Sequence, residues 1–367
     1  MAKKVTMQQI ANYLGVSKFV VSKALSGKGG VSESTKERVI EAAAQLGYFT
    51  QRPANKPLKA ARKLQRGSAA KQSILVLMPN VRFQTKESLY WGRIIDGISA
   101  ELEKRGIGMI ILSEQNADHL TGFINPEGIL GMIGVGEISS SMLLDIHRLG
   151  ITMVLVDHED DLIPLDSIFV DNYEATYRLT KQLISSGQRD IAFVGNIHFS
   201  RSFNDRFLGY RAAMEEHQFR AGSEMSAAFG NASLYRSLLN LEGYDRFHFH
   251  DQIRKWLQGL PQLPNAMVCG NDTIALSLLD VLKEQGIAVP QQLSVTGFDN
   301  IEDSYMGELA LTTVHVPKEM LGKKAVERLL NRLQHPEEPI VKLLVKSEVL
   351  FRESTAFQAA TATSKQR

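Results

Sequence analysis

The chain has 367 residues, of which 44% are hydrophobic and 22% are charged, enough for a small module and a larger region with its own apolar core. No run approaches the roughly 20 consecutive apolar residues of a membrane span, and no apolar stretch follows the first lysines, so we expect a cytoplasmic protein. The single cysteine, Cys269, excludes an internal disulfide framework and a metal site of several thiolates.

The net charge of +2 conceals two segments of opposite sign. Residues 1–71 hold 14 lysines and arginines against 3 acidic residues, a net charge of +11, and the remaining residues carry a net charge of −9. A polyanion such as DNA is the natural partner of the basic segment. A disordered basic tail is the alternative until the pattern inside the segment is considered.

Three short helices are predicted at the amino terminus. The first begins at a T-x-x-Q capping box formed by Thr6 and Gln9. Ser17 caps the second after a glycine turn as short as a helix-turn-helix requires, and Ser32 or Ser34 opens the third. Apolar residues at helical spacing predict one compact core, made of Ile10, Ala11, Leu14, Val20, Val21, Ala24, Leu25, Val39, Ala42, Ala43 and Leu46.

The second helix of such a module enters the major groove of DNA by its amino-terminal end. This places Lys18, Phe19 and Lys23 against the bases, where Lys23 can donate to guanine and Phe19 offers an apolar surface to a thymine methyl group. Ser17 and Ser22 suit contacts with phosphate. Each lysine alone is more simply a solvated surface charge, but their placement together on one short helix favours DNA binding.

Residues 5–48 resemble the DNA-binding headpiece of the lactose-repressor (LacI/GalR) family along nearly their whole length. The resemblance implies that Lys18, Phe19 and Lys23 are the base-reading residues. Val20 stands where the family usually has a phosphate-contacting threonine, and Lys23 stands where an arginine is usual. Lysine lacks the planar fork that binds guanine through two hydrogen bonds, so we expect an operator that differs from the family's common one.

The same resemblance implies a hinge helix that folds on DNA and inserts a leucine into the minor groove. Residues 61–64, A-R-K-L, are similar to the family's A-R-x-L, and Leu64 is therefore the expected wedge. About seven more residues than usual, including Pro53 and Pro57, precede this segment. A flexible basic linker is the alternative.

From Ser73 onward, short apolar runs alternate with amphipathic stretches, which predicts parallel sheets with crossover helices. The expected strands are 74–78, 108–112, 129–135, 152–156, 190–195, 266–270 and 293–298. The expected helices are 88–105, 139–149, 173–186, 204–217, 272–285 and 318–334. Such sheets bind ligands beyond the carboxyl ends of their strands.

The residues that follow the predicted strands combine aromatic, carboxylate, amide and guanidinium groups, which suits a polyhydroxylated ligand. Aromatic rings stack on a sugar ring, and the polar groups share its hydroxyls. The expected effector-binding residues are Tyr90, Trp91, Asp157, Arg206, Asn271 and Asp299. The alternatives are that Asp272 and Asp299 cap helices and that the aromatic pair belongs to the core.

The family resemblance continues to the carboxyl terminus. It implies an all-α helix-turn-helix headpiece followed by an α/β sensor, like a periplasmic binding protein, of two Rossmann-like lobes. The expected domains are the headpiece (1–50), a basic linker or hinge (51–72), a two-lobed effector-binding and dimerisation domain (73–355) and a tail (356–367). Three places depart from the family: residues 113–127 are too short for the usual second helix, residues 225–250 are rearranged, and Val316 replaces a commonly polar contact.

These features predict a homodimeric transcription regulator, a repressor of a carbohydrate-utilisation operon, that binds a pseudo-palindromic operator and a sugar-like effector without a cofactor. The alternatives are a sensor that docks a phosphorylated carrier protein and a nonspecific DNA binder. No phosphate-loop, zinc-protease or serine-hydrolase motif is present, so an enzyme is not expected. The sequences HEDD (158–161) and HFHD (248–251) could supply metal ligands, but solvated turns are the simpler interpretation, and no metal is expected.

Overall fold

A computed structural model describes residues 5–25, 31–46, 48, 73–78, 90–113, 128–220, 238–242 and 246–356. The chain divides into two compact units, the first drawn from 1–86, 94–168 and 319–343 and the second from 87–93, 169–318 and 344–367. Over the described ranges, no helix is both long enough and apolar enough to cross a membrane.

The amino-terminal part of the first unit contains three helices, α1 (Met7–Leu14), α2 (Lys18–Leu25) and α3 (Glu33–Gln45). The predicted capping box is confirmed: the Thr6 hydroxyl accepts from the Gln9 amide, and the Gln9 side chain accepts from the Thr6 amide at 2.8 Å. The Ser17 hydroxyl accepts from the amide of Val20 at 3.2 Å, which caps α2.

The three helices bury one apolar core. Its residues include most of the predicted positions, together with Ile40: Ile10, Ala11, Val21, Ala24, Leu25, Val39, Ile40, Ala42 and Ala43. Leu14 and Leu46 pack against this cluster and are half-buried. Because only one face of each helix is apolar, the opposite face of α2 remains available for another partner.

The larger sheet consists of six strands, which are β1 (Ser73–Leu77), β2 (Gly108–Leu112), β3 (Ile129–Val135), β4 (Met153–Val156), β5 (Asp166–Val170) and β11 (Lys342–Val345). Their order in the sheet is β11-β5-β4-β3-β1-β2, and strands β1 to β5 pair in parallel. The accompanying helices are α4 (Trp91–Lys104), α5 (Ser140–Arg148) and α11 (Lys318–Gln334).

The second unit is built on a parallel sheet with the strand order β7-β6-β8-β9. These strands are β6 (Ile191–Gly195), β7 (Leu238–Asn240), β8 (Ala266–Cys269) and β9 (Ser294–Thr296). An antiparallel pair is formed by β10 (Thr313–His315) and β12 (Glu348–Leu350). The helices are α6 (Asn172–Ser185), α7 (Arg201–Arg220), α8 (Arg246–Gly259), α9 (Asp272–Glu284) and α10 (Asp303–Met306).

The predicted fold class is confirmed, but the list of elements was incomplete. The sequence analysis missed strand β5 because it opens with a carboxylate, Asp166, which is only 2% exposed. The guanidinium of Arg332 donates to both oxygens of that carboxylate, at 2.7 and 3.0 Å, and makes its burial possible. The short strands β7, β10, β11 and β12, and helices α8 and α10, were also missed. Segment 114–127 lies outside the described residues.

Helices α4 and α11 approach each other closely in the first unit because each carries a glycine at the contact. A methyl group on Gly322 would stand 2.1 Å from the carbonyl oxygen of Ile94, and one on Gly97 would stand 2.1 Å from that of Glu319. Neither distance is possible for a real side chain, and the obstructing atoms are backbone. The contact therefore requires glycine on both helices.

We expect Gly322→Ala to destabilise the first unit by about 1–3 kcal/mol, because the helices must separate to admit the methyl group. Gly259→Ala is the control, since a methyl group there meets no atom within 4 Å, and the substitution should be neutral or slightly stabilising. Urea unfolding followed by circular dichroism measures both. Equal midpoints for the two variants would contradict the close packing.

Candidate DNA-binding and effector-binding sites

Helix α2 presents the predicted DNA-binding residues on one face. Val21, Ala24 and Leu25 point into the core. The opposite face exposes Ser17, Lys18, Phe19 and Ser22, and Lys23 is half-buried. Phe19 is 67% exposed, which is unusual for a large apolar side chain. This arrangement leaves an apolar ring and two lysines in position for a groove of DNA.

Leu64 lies outside the described residues, so its role as a hinge wedge stays a prediction.

Arg206, on α7, is at the centre of a buried polar network in the second unit. Its side chain is 3% exposed. The guanidinium donates to Asn172 Oδ1 at 2.8 Å, to the carbonyl of Gly270 at 2.7 Å and to Asp299 Oδ1 at 3.2 Å. It also lies 3.8 Å from the ring centroid of Phe298. Within the described residues these contacts engage three of its five N–H groups.

Asp299 and Asn300 form a strained corner after β9, with φ values of 111° and 53°. The buried ammonium of Lys318 donates to the carbonyl of Asp299 and, at 3.2 Å, to that of Asn300. Arg352 donates to Asn300 Oδ1 at 2.7 Å. The Lys318 ammonium also lies 5.8 Å from the ring centroid of Tyr90. This corner is therefore held by two cationic side chains, and the Asp299 carboxylate lies beside Arg206.

Asp157, the predicted effector residue in the first unit, follows β4 and has a φ of 56°. In the described part of the chain, the non-glycine residues with positive φ are Asp157, Asp299 and Asn300, and the first two are predicted effector residues. Such backbone conformations cost of order 1–3 kcal/mol and cluster at functional sites. The binding role of both aspartates stays a prediction.

The remaining predicted effector residues have structural contacts of their own. Tyr90 and Trp91 are half-buried at the amino-terminal end of α4, with ring centroids 4.8 Å apart in an edge-to-face arrangement. Asn271 caps α9, because its Oδ1 accepts from the Ile274 amide at 2.9 Å. Its side-chain NH₂ is thus the group with which it could bind an effector.

The alternative that Asp272 and Asp299 cap helices is wrong. Asp272 is the first residue of α9 and is fully buried. Its carboxylate accepts from Thr313 Oγ1 at 2.5 Å and from the Ile301 amide at 2.9 Å. Asp299 precedes α10, whose amino terminus has no side-chain cap. Both carboxylates therefore belong to the network and not to a helix end.

Asn172 and Lys318 were not predicted as site residues from the sequence. Asn172 follows β5, and because that strand was not predicted, nothing placed Asn172 beyond the end of a strand. Lys318 is 5% exposed, whereas a lysine at the start of a helix is ordinarily read as surface.

Within the described ranges, no group of three or more histidine, cysteine or acidic side chains is placed to hold a metal ion. In the HEDD segment, Asp160 accepts from the hydroxyl of Ser140 at 2.6 Å and from the amides of Leu162 and Ile163. Its carboxylate therefore closes a turn. In the HFHD segment, His250 lies 3.6 Å from Asp280 on a neighbouring helix.

Burial, reinforced by the charge of Asp299, raises the pKa of Asp272 to about 7. Burial also raises the pKa of Asp299, and the positive charges of Arg206 and Lys318 oppose that rise. The network thus contains a carboxyl group whose pKa is raised into the physiological range.

The raised pKa of Asp272 predicts a pH-dependent stability. The stabilisation that Asp272 gives the folded protein in its protonated form is fully present below the pKa of this carboxyl in the unfolded chain, near 3.8. It is lost as the pH rises through about 7. Relative to Asp272→Asn, the wild-type protein should lose about 3 kcal/mol of unfolding free energy between pH 5 and pH 8. Thermal unfolding of both proteins across this range measures the difference. A constant difference would mean that Asp272 titrates as in solution.

Comparison with known proteins finds a family model for each of the two regions. The model for "Bacterial regulatory proteins, lacI family" matches residues 6–51, and the model for a "Periplasmic binding protein-like domain" matches residues 180–355. The chain is 29% identical over 357 residues to the HTH-type transcriptional repressor PurR of Vibrio campbellii, covering 95% of this chain and 98% of the relative. It is 28% identical over 364 residues to PurR of Glaesserella parasuis, with the same coverage.

Solved structures show the same fold at lower identity. A complex of the transcriptional regulator CelR with cellobiose has a TM-score of 0.68 at 21% identity and covers 96% of this chain and all of that one. The lac repressor dimer bound to operator and the anti-inducer ONPF has a TM-score of 0.63 at 20% identity, covering 96% and 99%. A LacI family regulator from Enterococcus faecium with bound ribose has a TM-score of 0.65 at 21% identity, covering 78% and 100%.

Proposed function

The chain belongs to the lacI family of bacterial regulatory proteins and is a DNA-binding transcriptional repressor; on that premise we propose that it controls a carbohydrate-utilisation operon through a sugar-like effector. The observation that carries the proposal is the buried pair of Arg206 and Asp299, which sets a donor and an acceptor side by side at 3.2 Å. A hydroxyl group both donates and accepts, so neighbouring hydroxyls of a sugar satisfy both groups. The carboxylate disfavours an anionic ligand.

The aromatic pair Tyr90 and Trp91 and the aspartate Asp157 complete the proposed set of effector residues, with Asn271 contributing its NH₂ group. Cellobiose and ribose are the ligands named for two solved structures of the same fold. A heterocyclic base presents a comparable donor and acceptor edge, so purine bases belong in the same test as sugars.

We also propose that the protein acts as a homodimer on a pseudo-palindromic operator, with one headpiece on each half-site. The headpiece is assigned to residues 1–50, the linker and hinge to 51–72, the sensor to 73–355 and the tail to 356–367. We propose that effector binding releases the protein from the operator. This requires that the DNA-bound protein has a lower affinity for the effector than the free protein.

The effector class is tested by thermal unfolding of the full chain with a panel of monosaccharides, disaccharides and purine bases. A ligand at 100 times its Kd stabilises the protein by about 2.7 kcal/mol. Asp299→Asn should weaken binding of an active compound by about 10- to 100-fold, because it leaves Arg206 and the ligand imperfectly paired. Arg211→Lys, an exchange of a partly exposed arginine on the same helix, is the control and should bind normally.

If only purine bases raise the unfolding temperature, the effector is a purine base and not a sugar. No shift with any compound, together with binding of a phosphorylated carrier protein, would favour the docking alternative.

For the hinge, we expect Leu64→Ala to weaken affinity for the operator far more than affinity for random duplex DNA, because only the specific complex contains the kinked site. Binding is measured on both duplexes at one fixed salt concentration. An equal loss on both would remove Leu64 from the hinge role. Equal wild-type affinity for every duplex would favour a nonspecific DNA binder.

A further inference from the structure

Phe19 and Lys23 lie one turn apart on the outer face of α2 and contact each other. The Lys23 ammonium lies 5.1 Å from the centroid of the Phe19 ring, within the range of an attractive cation–π interaction. Lys23 is half-buried, whereas Lys18 on the same helix is exposed. The ring therefore covers part of the lysine and holds its charged end in place.

We propose that Phe19 and Lys23 act as one reading unit that selects a T·A base pair directly beside a G·C pair in each half-site. The inference rests on the proposed insertion of α2 into the major groove. There an ammonium group donates to guanine, and an apolar surface packs against the thymine methyl group.

The separation of the two groups sets the spacing of the bases that they read. Successive base pairs are about 3.4 Å apart along the duplex, so 5.1 Å is less than two steps. Two groups held this close favour contacts with the same base pair or with neighbouring ones. Guanine and thymine do not occur in one Watson–Crick pair, and the proposal therefore places the two bases in adjacent pairs.

The contact also compensates for a weakness of lysine at this position. Lysine has a flexible stem and no planar fork, so it normally loses much rotamer freedom when it binds a base. Here the Phe19 ring orients Lys23 before DNA arrives. Selection of guanine therefore depends on the aromatic ring of Phe19 as well as on the lysine, which independent contacts would not produce.

The test is selection of duplexes by the full-length protein from a randomised library, followed by affinity measurements on the selected site and its single-base variants. Wild type should enrich adjacent T·A and G·C pairs in each half-site. Phe19→Leu keeps an apolar surface but removes the ring. It should retain the thymine preference and lose about two- to fivefold of the guanine preference, the factor expected for an exposed cation–π contact. Lys23→Arg keeps both a cation and the stacking and should retain guanine.

The comparison variant is Lys18→Met, which removes a charge next to Phe19 in sequence, where consecutive side chains of a helix do not pack against each other. Combined with Phe19→Leu, its effects should multiply without coupling, whereas Lys23→Met combined with Phe19→Leu should show the two- to fivefold coupling. Because Phe19 is exposed, Phe19→Leu should not unfold the headpiece. Circular dichroism of each variant checks that it is folded.

The outcomes distinguish a failure of the proposed operator function from a failure of the reading unit. If wild type enriches no sequence, the proposed operator function fails. If sequences are enriched but the thymine and guanine positions are apart, or Phe19→Leu leaves guanine discrimination unchanged, the reading unit is wrong and the two residues act independently.

Discussion

The guanidinium of Arg206 organises the second unit, because it binds the segments that follow three different strands. Its partners Asn172, Gly270 and Asp299 come directly after or near the ends of β5, β8 and β9. A buried charge is tolerated only when it is paired and its hydrogen bonds are satisfied, and removing one partner of such a pair typically costs about 3–5 kcal/mol. The network that ties these strand ends together thus also fixes a guanidinium donor beside a carboxylate acceptor.

Lys318 connects this network to the course of the chain. It is the first residue of α11 and the last residue of the segment 169–318 that belongs to the second unit. Its ammonium binds the strained carbonyl groups of Asp299 and Asn300. Lys318 therefore ties the backbone of the Asp299 corner to the residue at which the chain passes into the first unit. A regulator needs such a connection, because an effector acts only through a difference in its affinity for two states.

The headpiece is far smaller than the rest of the chain and has a different task, which is to bind DNA in the proposed complex. Its core is small, so one face of α2 supplies the packing and the other face must carry all the chemistry. An exposed aromatic ring is unfavourable on a protein without a partner, but in the proposed complex with DNA it packs against a thymine methyl group and supports a lysine. The surplus of positive charge in residues 1–71 favours encounter with DNA of any sequence, and the pair on α2 adds discrimination.

The sequence by itself determined the helix-turn-helix and the α/β class of the sensor, because capping residues and apolar periodicity act over a few neighbouring residues. Thr6, Gln9 and Ser17 form their caps with amides three positions away, so their pattern is local. Only the tertiary structure revealed that Asp166 lies in a strand, that Lys318 is buried and that Lys23 lies over Phe19. The burial of a charged side chain depends on partners such as Arg332, 166 residues away in sequence, which no local pattern contains. Similarly, aspartate and asparagine adopt positive φ more readily than other non-glycine residues, but only the tertiary structure shows that Asp157 and Asp299 do so.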